Sequence, residues 1–442
     1  MKDEESLRKA FLPAQLATKY HPFYRGKIEI VPKCPIRSFD DFAIWYTPGV
    51  AEACEAIRAK PEAVYENTNK WNTIAIVTDG SRVLGLGDIG PQAGLPVMEG
   101  KSLLYKYLGG IDAFPLCLGT KETEEIISVV KWIQPSFGGI NLEDIAQPKC
   151  FEILDSLQKQ LDIPVWHDDQ QGTGTVVLAG FINALKIVGK KAPEVKISMI
   201  GAGAANVALT RLLMLSGVKP GNIILVDRKG TLHRKRKDLE NSPKKWKLCQ
   251  ITNSEGREGG IEASMVGADA CIALSKPGPG VITKDFVSKM SDGPVVFACA
   301  NPIPEIWPWE AQEAGAKVIA TGRSDFPNQL NNSLGFPGIF RGTIDVRART
   351  ITDEMCLAAA SELAKLAEER GLSPMNIIPN MDDWEVFPRE ATAVAEKAIE
   401  QGVARLKRTR EELYTSARSI IKRAREETRQ LMRSGFIQDF PT

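Results

Sequence analysis

Histidine is scarce in this sequence, with three among 442 residues, and the eight cysteines form no CxxC pair. A zinc site built from histidine and cysteine is therefore not expected, and any metal would need carboxylate ligands. Scattered single cysteines are typical of reduced thiols in a cytoplasmic protein. The sequence also has no excess of one charge, since it contains 56 Lys and Arg residues and 55 Asp and Glu residues. This balance indicates neither nucleic acid nor a membrane as a partner.

Long apolar runs are missing as well, and the ones present look far too short to span a membrane. The first residues, MKDEESLRKA, are charged and lack the apolar stretch of a signal peptide. We therefore expect a soluble protein of the cytoplasm. Its length is enough for two or three domains.

Short apolar runs alternate with longer helical patterns, which predicts an α/β fold. Strands are predicted in the first part at TIAIVTDG, DAFPLCLG, GGINLEDI and IPVWHDD. A strand, glycine turn and helix beginning at VKISMIGAGAAN predict a doubly wound, Rossmann-type domain. We predict an N-terminal α/β domain in residues 1–165, a nucleotide-binding domain in residues 166–345, and C-terminal helices in residues 346–442. Those helices would pack on the first domain or at a dimer interface.

The C-terminal tail is basic and helical in pattern. Near-heptad spacing relates Leu406, Leu413, Ala417, Ile420, Ala424 and Leu431. Because glutamates are interspersed among its cations, a packing or dimer helix fits it better than a nucleic-acid surface. We therefore expect a homodimer or a dimer-based tetramer.

Three predicted strands of the first domain end in acidic residues: Asp79, then Glu143 with Asp144, then Asp168 with Asp169. Ligands of open α/β sheets lie beyond the carboxyl ends of the strands, so these acids can converge. Glu143, Asp144 and Asp169 could offer oxygen ligands to Mg²⁺ or Mn²⁺. Each acid could equally cap the helix or turn that follows its strand.

A dinucleotide-binding fingerprint is matched, except at its last glycine, by the turn that contains Gly201, Gly203, Ala204, Ala205 and Asn206. Its two glycines allow a tight turn and close approach of the backbone to a pyrophosphate. Asp227 ends the next strand, where an acid accepts hydrogen bonds from ribose hydroxyls and would repel a 2′-phosphate. This favours NAD, although Arg228 and Lys229 could accommodate that phosphate, so NADP stays possible.

Further polar candidates lie on loops and at a predicted helix start. Lys101 follows a glycine, where the positive helix end would lower its pKa, as a general base requires; otherwise it is a solvated lysine. Arg82 lies in the glycine-rich VTDGSRVLGLGDIG. Tyr46 either packs in the core or offers its hydroxyl group. Asn301 and Asn332 either shape turns or bind a carboxylate or hydroxyl group.

Taken together, the motifs stand in the order seen in malic enzymes: YTPGVA, VTDGSRVLGLGDIG, GK, NLED, HDDQQGT, GAGAAN, ANPIPE and NNSLGFPG. The sequence resembles that family from about Tyr46 to Gly338. It is most similar to the shorter bacterial and archaeal form, without an appended phosphotransacetylase-like domain.

The resemblance implies oxidative decarboxylation of (S)-malate to pyruvate and CO₂, with reduction of NAD(P) and dependence on a divalent cation. It gives Lys101 as the general base, Tyr46 as the general acid and Asp168 as the residue that orients Lys101. The residues matching metal ligands are Glu143, Asp144 and Asp169. Those matching malate contacts are Arg82, Asn301 and Asn332. Asn301 also matches the cofactor site, and Tyr46 acts in its own or the neighbouring subunit's site.

Two departures from the family pattern concern the cofactor: Asn206 in the glycine turn, and Ser275-Lys276-Pro277 in the loop near the expected nicotinamide. Three alternatives remain at this stage. One is a malolactic-type enzyme, which retains its cofactor and releases lactate. The second is a metal-independent amino-acid dehydrogenase of the leucine or glutamate type. The third is a non-catalytic NAD-binding regulatory module.

Overall fold

A computed structural model describes the backbone of residues 2–441 and the side chains of residues 12–441. The first sheet is parallel, with strand order β2-β1-β3-β4. Its strands are β1 Thr73–Thr78, β2 Asp112–Cys117, β3 Gly139–Leu142 and β4 Val165–His167. Every residue of β1, β3 and β4 is buried. Burial on both faces is what a parallel sheet covered by helices requires, and it explains the near-continuous apolar runs.

The second sheet has the order β10-β9-β8-β5-β6-β7, in which β7 alone runs antiparallel. Its strands are β5 Ile197–Ile200, β6 Ile223–Asp227, β7 Gly230–Thr231, β8 Ala270–Ala273, β9 Val295–Ala298 and β10 Val318–Thr321. The strand order reverses direction at β5, which places a ligand crevice between β5 and β8. The predicted α/β class with a doubly wound second domain is confirmed.

Helices surround both sheets. In the first half of the chain they are α1 Lys2–Tyr24, α2 Asp41–Trp45, α3 Val50–Ala59, α4 Val64–Asn67, α5 Pro91–Gly109, α6 Thr123–Ile133, α7 Lys149–Gln160 and α8 Thr173–Val188. Around the second sheet lie α9 Ala204–Leu215, α10 Pro243–Ile251, α11 Ile261–Met265, α12 Lys284–Ser288 and α13 Pro308–Glu313. The last group is α14 Phe336–Asp345, α15 Asp353–Glu369, α16 Val386–Glu400 and α17 Arg410–Arg433.

The C-terminal helices return to the first sheet. α14 and α17 pack on α5, and α16 packs on α14, α15 and α17. The buried side chains of α17 are Leu413, Ala417, Ile421 and Ala424. Much of the apolar face of α17 is therefore buried within this chain. That face no longer supports the prediction of a dimer interface in the tail. The boundaries at 165 and 345 stay predictions; β4 extends the first sheet to His167.

One segment corrects the expectation about apolar length. A π-helical turn at Asp168–Gly172 continues into α8, and together they are long and apolar enough to cross a membrane by length and composition. However, 72% of the tested window is buried inside the protein, where α8 packs on α9 and α15. This is the environment of a core helix, which is apolar on all sides for the same reason.

Candidate active site

The acids predicted at the strand ends converge. Glu143 and Asp144 follow β3, and Asp169 lies in the π-helical turn after β4. Their ligand atoms all lie within 4.8 Å of one another. The Asp144 Oδ2 atom is buried without a hydrogen-bond partner in the described part of the chain. Three converging carboxylates, one with an unused oxygen, fit a hard divalent cation such as Mg²⁺ or Mn²⁺.

The backbone of Asp144 is shaped for this position. Its φ of 53° lies in the left-handed region, which a non-glycine residue seldom adopts. Its N–H donates to Asp169 Oδ2 at 3.1 Å, and its carbonyl accepts from the Arg82 N–H at 2.9 Å. Burial, together with the charge of Asp169, raises the pKa of Asp144 to about 8. Such mutual repulsion is what a bound cation would relieve.

Lys101 lies near the middle of α5, and its amino group reaches the acids. Its Nζ atom lies 2.6 Å from Glu143 Oε1 and donates a short hydrogen bond to Asp168 Oδ2. It also lies 4.5 Å from the ring centroid of Phe336. The sequence-based expectation of a lowered pKa is wrong here. Burial alone lowers the pKa of Lys101, but Asp168 and Glu143 outweigh it and hold that pKa above its usual range.

The predicted lowering of the pKa of Lys101 is wrong because of where Lys101 lies in its helix. The positive end of a helix acts only over its first turn, and Lys101 lies far inside α5, which begins at Pro91. Its charged neighbours are the carboxylates of Glu143 and Asp168, which favour the protonated amine.

Asp168 is fully buried and anchored on both oxygens. Its Oδ1 accepts from Trp166 Nε1 at 3.1 Å. Its Oδ2 accepts from Lys101 and from Asn332 Nδ2, the latter at 2.5 Å. Asn332 follows β10 of the second sheet, so residues of both sheets meet here. Predicted as a malate contact, Asn332 binds Asp168 in this structure.

Sequence reasoning missed two residues that hold Glu143. Asn141, fully buried in β3, donates to Glu143 Oε2 at 2.8 Å. The Tyr105 hydroxyl donates to Asn141 Oδ1 at 2.8 Å. The available signals were a polar residue inside an apolar strand, and a tyrosine one helical turn after Lys101.

Asp79, the first strand-end acid, has a structural role. Its Oδ1 accepts from the Ser81 N–H at 3.0 Å and from the Ser81 hydroxyl at 2.6 Å. Its other oxygen pairs with Lys149. Asp79 thus fixes the turn that precedes Arg82, whose side chain is exposed. Predicted as a malate contact, Asn301 follows β9, also in an exposed position.

Tyr46 is not gathered with the other predicted residues. It follows α2 and is 71% exposed, whereas Lys101 is 7% exposed. Apolar residues that precede Tyr46 in the sequence are exposed as well, among them Ile30 at 83% and Phe39 at 90%. Tyr46 therefore lies on an exposed, partly apolar segment, away from the buried acids and Lys101.

The glycine turn of the second domain has the geometry of a pyrophosphate site. Gly201 has φ of 98°, and a Cβ there would lie 2.7 Å from the Leu274 carbonyl oxygen. No described atom lies within 4 Å of where a Cβ on Gly203 would be, so the approach to α9 is open. The departure at Asn206 has a physical reason. Its amide donates to Ile200 O at 3.0 Å and to Gly201 O at 2.7 Å, which clamps the turn.

Asp227 ends β6 as predicted but is not free. Arg236 donates to its two oxygens at 3.1 and 2.9 Å. Arg228, the neighbour predicted to help with a phosphate, is exposed. The sequence did not reveal the ion pair because Arg236 lies on the loop after β7, among other basic residues.

A family model described as "Malic enzyme, N-terminal domain" matches residues 25–158, and one described as "Malic enzyme, NAD binding domain" matches residues 170–399. The chain belongs to the malic enzyme family. The resemblance drawn from the motifs is confirmed, and the second match supports a nicotinamide nucleotide as cofactor.

Similar proteins carry malic enzyme names, in agreement with the family models. It is 52% identical over 380 residues to the NAD-dependent malic enzyme of Geobacillus stearothermophilus, covering 86% of this chain and 78% of that one. It is 46% identical to the bifunctional malic/malolactic enzyme of Bacillus subtilis, covering 91% and 97%. The crystal structure of Entamoeba histolytica malic enzyme superposes with a TM-score of 0.97 at 47% identity, covering 100% and 93%.

Proposed function

We propose that this malic enzyme converts (S)-malate to pyruvate and CO₂ while reducing NAD(P), with Mg²⁺ or Mn²⁺ as its cation. The observation that carries this function is the pairing of one buried lysine with Asp168 beside three converging acids. A 2-hydroxy acid needs such a site, because its hydroxyl proton must leave while a carboxylate is held nearby.

Glu143, Asp144 and Asp169 would hold the cation. When bound, a divalent cation supplies positive charge that polarises the hydroxyl and carboxylate of malate and disfavours the protonated form of the adjacent Lys101. In its neutral form Lys101 accepts the hydroxyl proton of malate. Asp168, held by Asn332 and Trp166, keeps the amine in place.

Arg82 and Asn301 would bind malate from the two sides of the cleft. A guanidinium group pairs with a carboxylate through two parallel hydrogen bonds, which orients the substrate as well as holding it. The Arg82 N–H donates to Asp144 O at 2.9 Å, which places this exposed residue beside the acids. Asn301 follows β9, at the strand end where the nicotinamide is expected.

Tyr46 would donate the proton that converts the enolate into pyruvate. Its exposure in this chain supports a homodimer, or a dimer-based tetramer, in which each subunit provides Tyr46 to its neighbour. The exposed segment around it supplies the apolar surface that such an interface requires.

NAD remains the favoured cofactor because Asp227 ends the second strand of the nucleotide unit. Arg236 offsets part of the repulsion that a 2′-phosphate would meet, so NADP is the second choice. Expected partners are the substrate and a second copy, without nucleic acid or membrane, in the cytoplasm.

The malolactic reaction is the second candidate, because the Bacillus subtilis relative carries both names. A malolactic enzyme releases lactate and accumulates no reduced cofactor. Family matches across both domains do not favour an amino-acid dehydrogenase or a non-catalytic module.

Steady-state assays with (S)-malate, Mn²⁺ and each cofactor test the proposal. Equal yields of reduced cofactor, CO₂ and pyruvate are expected, and a chelator should abolish them. Lactate without reduced cofactor would replace this function with the malolactic one, and chelator-resistant turnover would remove the cation from it.

A further inference from the structure

A tight turn of the first domain projects towards the second. Its ends are joined by hydrogen bonds from Val83 N–H to Gly87 O at 2.9 Å and from Gly87 N–H to Val83 O at 3.2 Å. At the tip, Leu84 and Leu86 are exposed, and Gly85 lies between them. Arg82 immediately precedes this turn, so the position of the turn also sets the position of the substrate-binding guanidinium.

Gly85 touches the second domain on the side where a side chain would be. A Cβ there would lie 2.8 Å from the Asn301 carbonyl oxygen, 3.2 Å from Pro302 Cδ and 3.4 Å from Pro277 Cγ. The first distance is shorter than van der Waals contact and involves backbone, which cannot swing away as a flexible side chain can. Alanine at this position would therefore push the two domains apart.

The surface that receives Gly85 consists of two loops, one after β8 and one after β9. Glu305 joins them. Its Oε1 accepts from the Ser275 N–H at 2.9 Å and from the Ser275 hydroxyl at 3.0 Å, and its Oε2 accepts from the Ala300 N–H at 3.0 Å. Glu305 is fully buried, and Ser275 and Ala300 lie two residues or fewer from Pro277, Asn301 and Pro302.

We propose that Gly85 and Glu305 are positioning residues that together set the distance between the two sides of the substrate cleft. Glu305 holds the two loops of the second domain as one rim, and Gly85 lets the Val83–Gly87 turn rest on that rim. Neither residue touches the reacting atoms. The inference builds on the proposed function, because it assigns to this contact the placement of Arg82 opposite the nicotinamide side of the cleft.

The departure at Ser275 gains a role from this arrangement. Its hydroxyl provides one of the three hydrogen bonds to Glu305, so it contributes to the rim. Replacing the Glu305 carboxylate with an amide would break hydrogen bonds, because the NH₂ group of glutamine would face the N–H of either Ser275 or Ala300 and cannot accept from it.

The first test is Gly85→Ala. We expect kcat/KM for malate to fall by about tenfold to a hundredfold, the size of effect that a displacement near 1 Å produces. The dissociation constant of ADP-ribose, which lacks the nicotinamide, should stay at the wild-type value when measured by calorimetry without malate, because the Gly201 turn is untouched. Gly119→Ala is the matched control, since no described atom lies within 4 Å of its added Cβ. An unchanged kcat/KM in Gly85→Ala would overturn the proposal.

The second test is Glu305→Gln, with Ser275→Ala as a milder change that removes one hydrogen bond. Both should lower kcat/KM for malate, Ser275→Ala less. If the rim and the turn act as one contact, the Gly85→Ala/Glu305→Gln double variant should be no worse than the poorer single variant. Multiplying effects would show two unrelated contacts and contradict the inference.

Hydrogen–deuterium exchange separates this inference from the proposed function, since it needs no turnover. In Gly85→Ala, peptides covering residues 82–87 and 275–281 should both exchange faster than in the wild type, while Gly119→Ala leaves them unchanged. Wild-type exchange in both peptides of Gly85→Ala would refute the contact. A protein that shows the exchange difference but does not oxidise malate would refute only the proposed function.

Discussion

The Asn332 amide donates to Asp168 Oδ2 over 2.5 Å, and so joins a turn beyond the last strand of the second sheet to the strand end of the first. Through Asp168, this bond reaches the Lys101 amine. The proposed base is therefore held where the two halves of the protein meet, and Asn332 contributes to orienting it.

Replacing Lys101 with alanine should lower malate oxidation by about 10²–10⁴-fold, the usual effect of losing a positioned general base. Lys106→Ala is the control, since Lys106 lies on the same helix but pairs with Asp112 away from the acids. Reduced cofactor formed per second measures the effect, with circular dichroism to confirm folding. A Lys101→Ala enzyme that oxidises malate at a near wild-type rate would refute the general-base assignment.

Asp169→Ala should weaken Mn²⁺ binding by at least about a hundredfold, since even residues outside the ligand shell contribute 10–100-fold. Electron paramagnetic resonance of free Mn²⁺ measures this without turnover. Asp88→Ala provides the control, because Asp88 is an exposed acid paired with Lys121. Equal Mn²⁺ affinity in Asp169→Ala and the wild type would remove Asp169 from the ligand set.

Tyr46→Phe keeps the ring and removes the hydroxyl proton. It should retain hydride transfer but release pyruvate slowly, as seen by comparing cofactor reduction with pyruvate formation. If Tyr46 serves the neighbouring subunit, mixing Tyr46→Phe with Lys101→Ala subunits should restore turnover, since a hybrid dimer contains one site with both native residues. Mixtures no more active than their components would place Tyr46 in its own site or outside the reaction.

Cofactor choice should respond in opposite directions to the two members of one ion pair. Asp227→Asn frees Arg236 and should raise the NADP to NAD ratio of kcat/KM by about tenfold, the value of a charged hydrogen bond. Arg236→Ala should lower that ratio, because Asp227 then faces the 2′-phosphate alone. Lys235→Ala is the control, with a side chain 81% exposed and paired to Glu258. Shifts in the same direction would contradict the assignment.

Glu390 should make the stability of the protein depend on pH. It is fully buried in α16, and neither carboxyl oxygen has a hydrogen-bond partner in the described part of the chain. Burial raises the pKa of Glu390 well above its usual value. The unfolded chain therefore loses this proton first, from pH about 4.3, and folding stability falls as pH rises towards the folded pKa.

Glu390→Gln cannot lose a proton. Its advantage in unfolding temperature over the wild type should therefore be larger at pH 8 than at pH 5. An equal difference at both pH values would show that folding does not raise the pKa of Glu390 into this range.

Some of this site could be predicted from the sequence, because strand ends are readable. Acids that follow parallel strands lie at the same edge of the sheet, so the sequence alone predicted that Glu143, Asp144 and Asp169 would be close together. The structure groups these three residues. The glycine turn was readable for the same reason, since its function depends on local backbone.

Other features depend on contacts between distant segments. The surroundings of Lys101 could not be predicted from its neighbours in sequence, because its two carboxylate partners follow β3 and β4, far from α5 in the chain. The Arg236 partner of Asp227 and the packing of α17 on α5 are equally non-local. The surroundings of Tyr46 are even harder to predict from the sequence, because the residues proposed to surround its side chain belong to a second subunit.

Four carboxylates lie close together with a single amine, that of Lys101: Glu143, Asp144, Asp168 and Asp169. Their mutual repulsion lowers the stability of the folded chain, because unfolding would separate them. A divalent cation held there would act on the folding equilibrium as well as on malate. At a free concentration of one hundred times its Kd, it would add about 2.7 kcal/mol to the free energy of unfolding. Survival of the protein on heating would then follow the supply of magnesium or manganese, whether or not substrate is present.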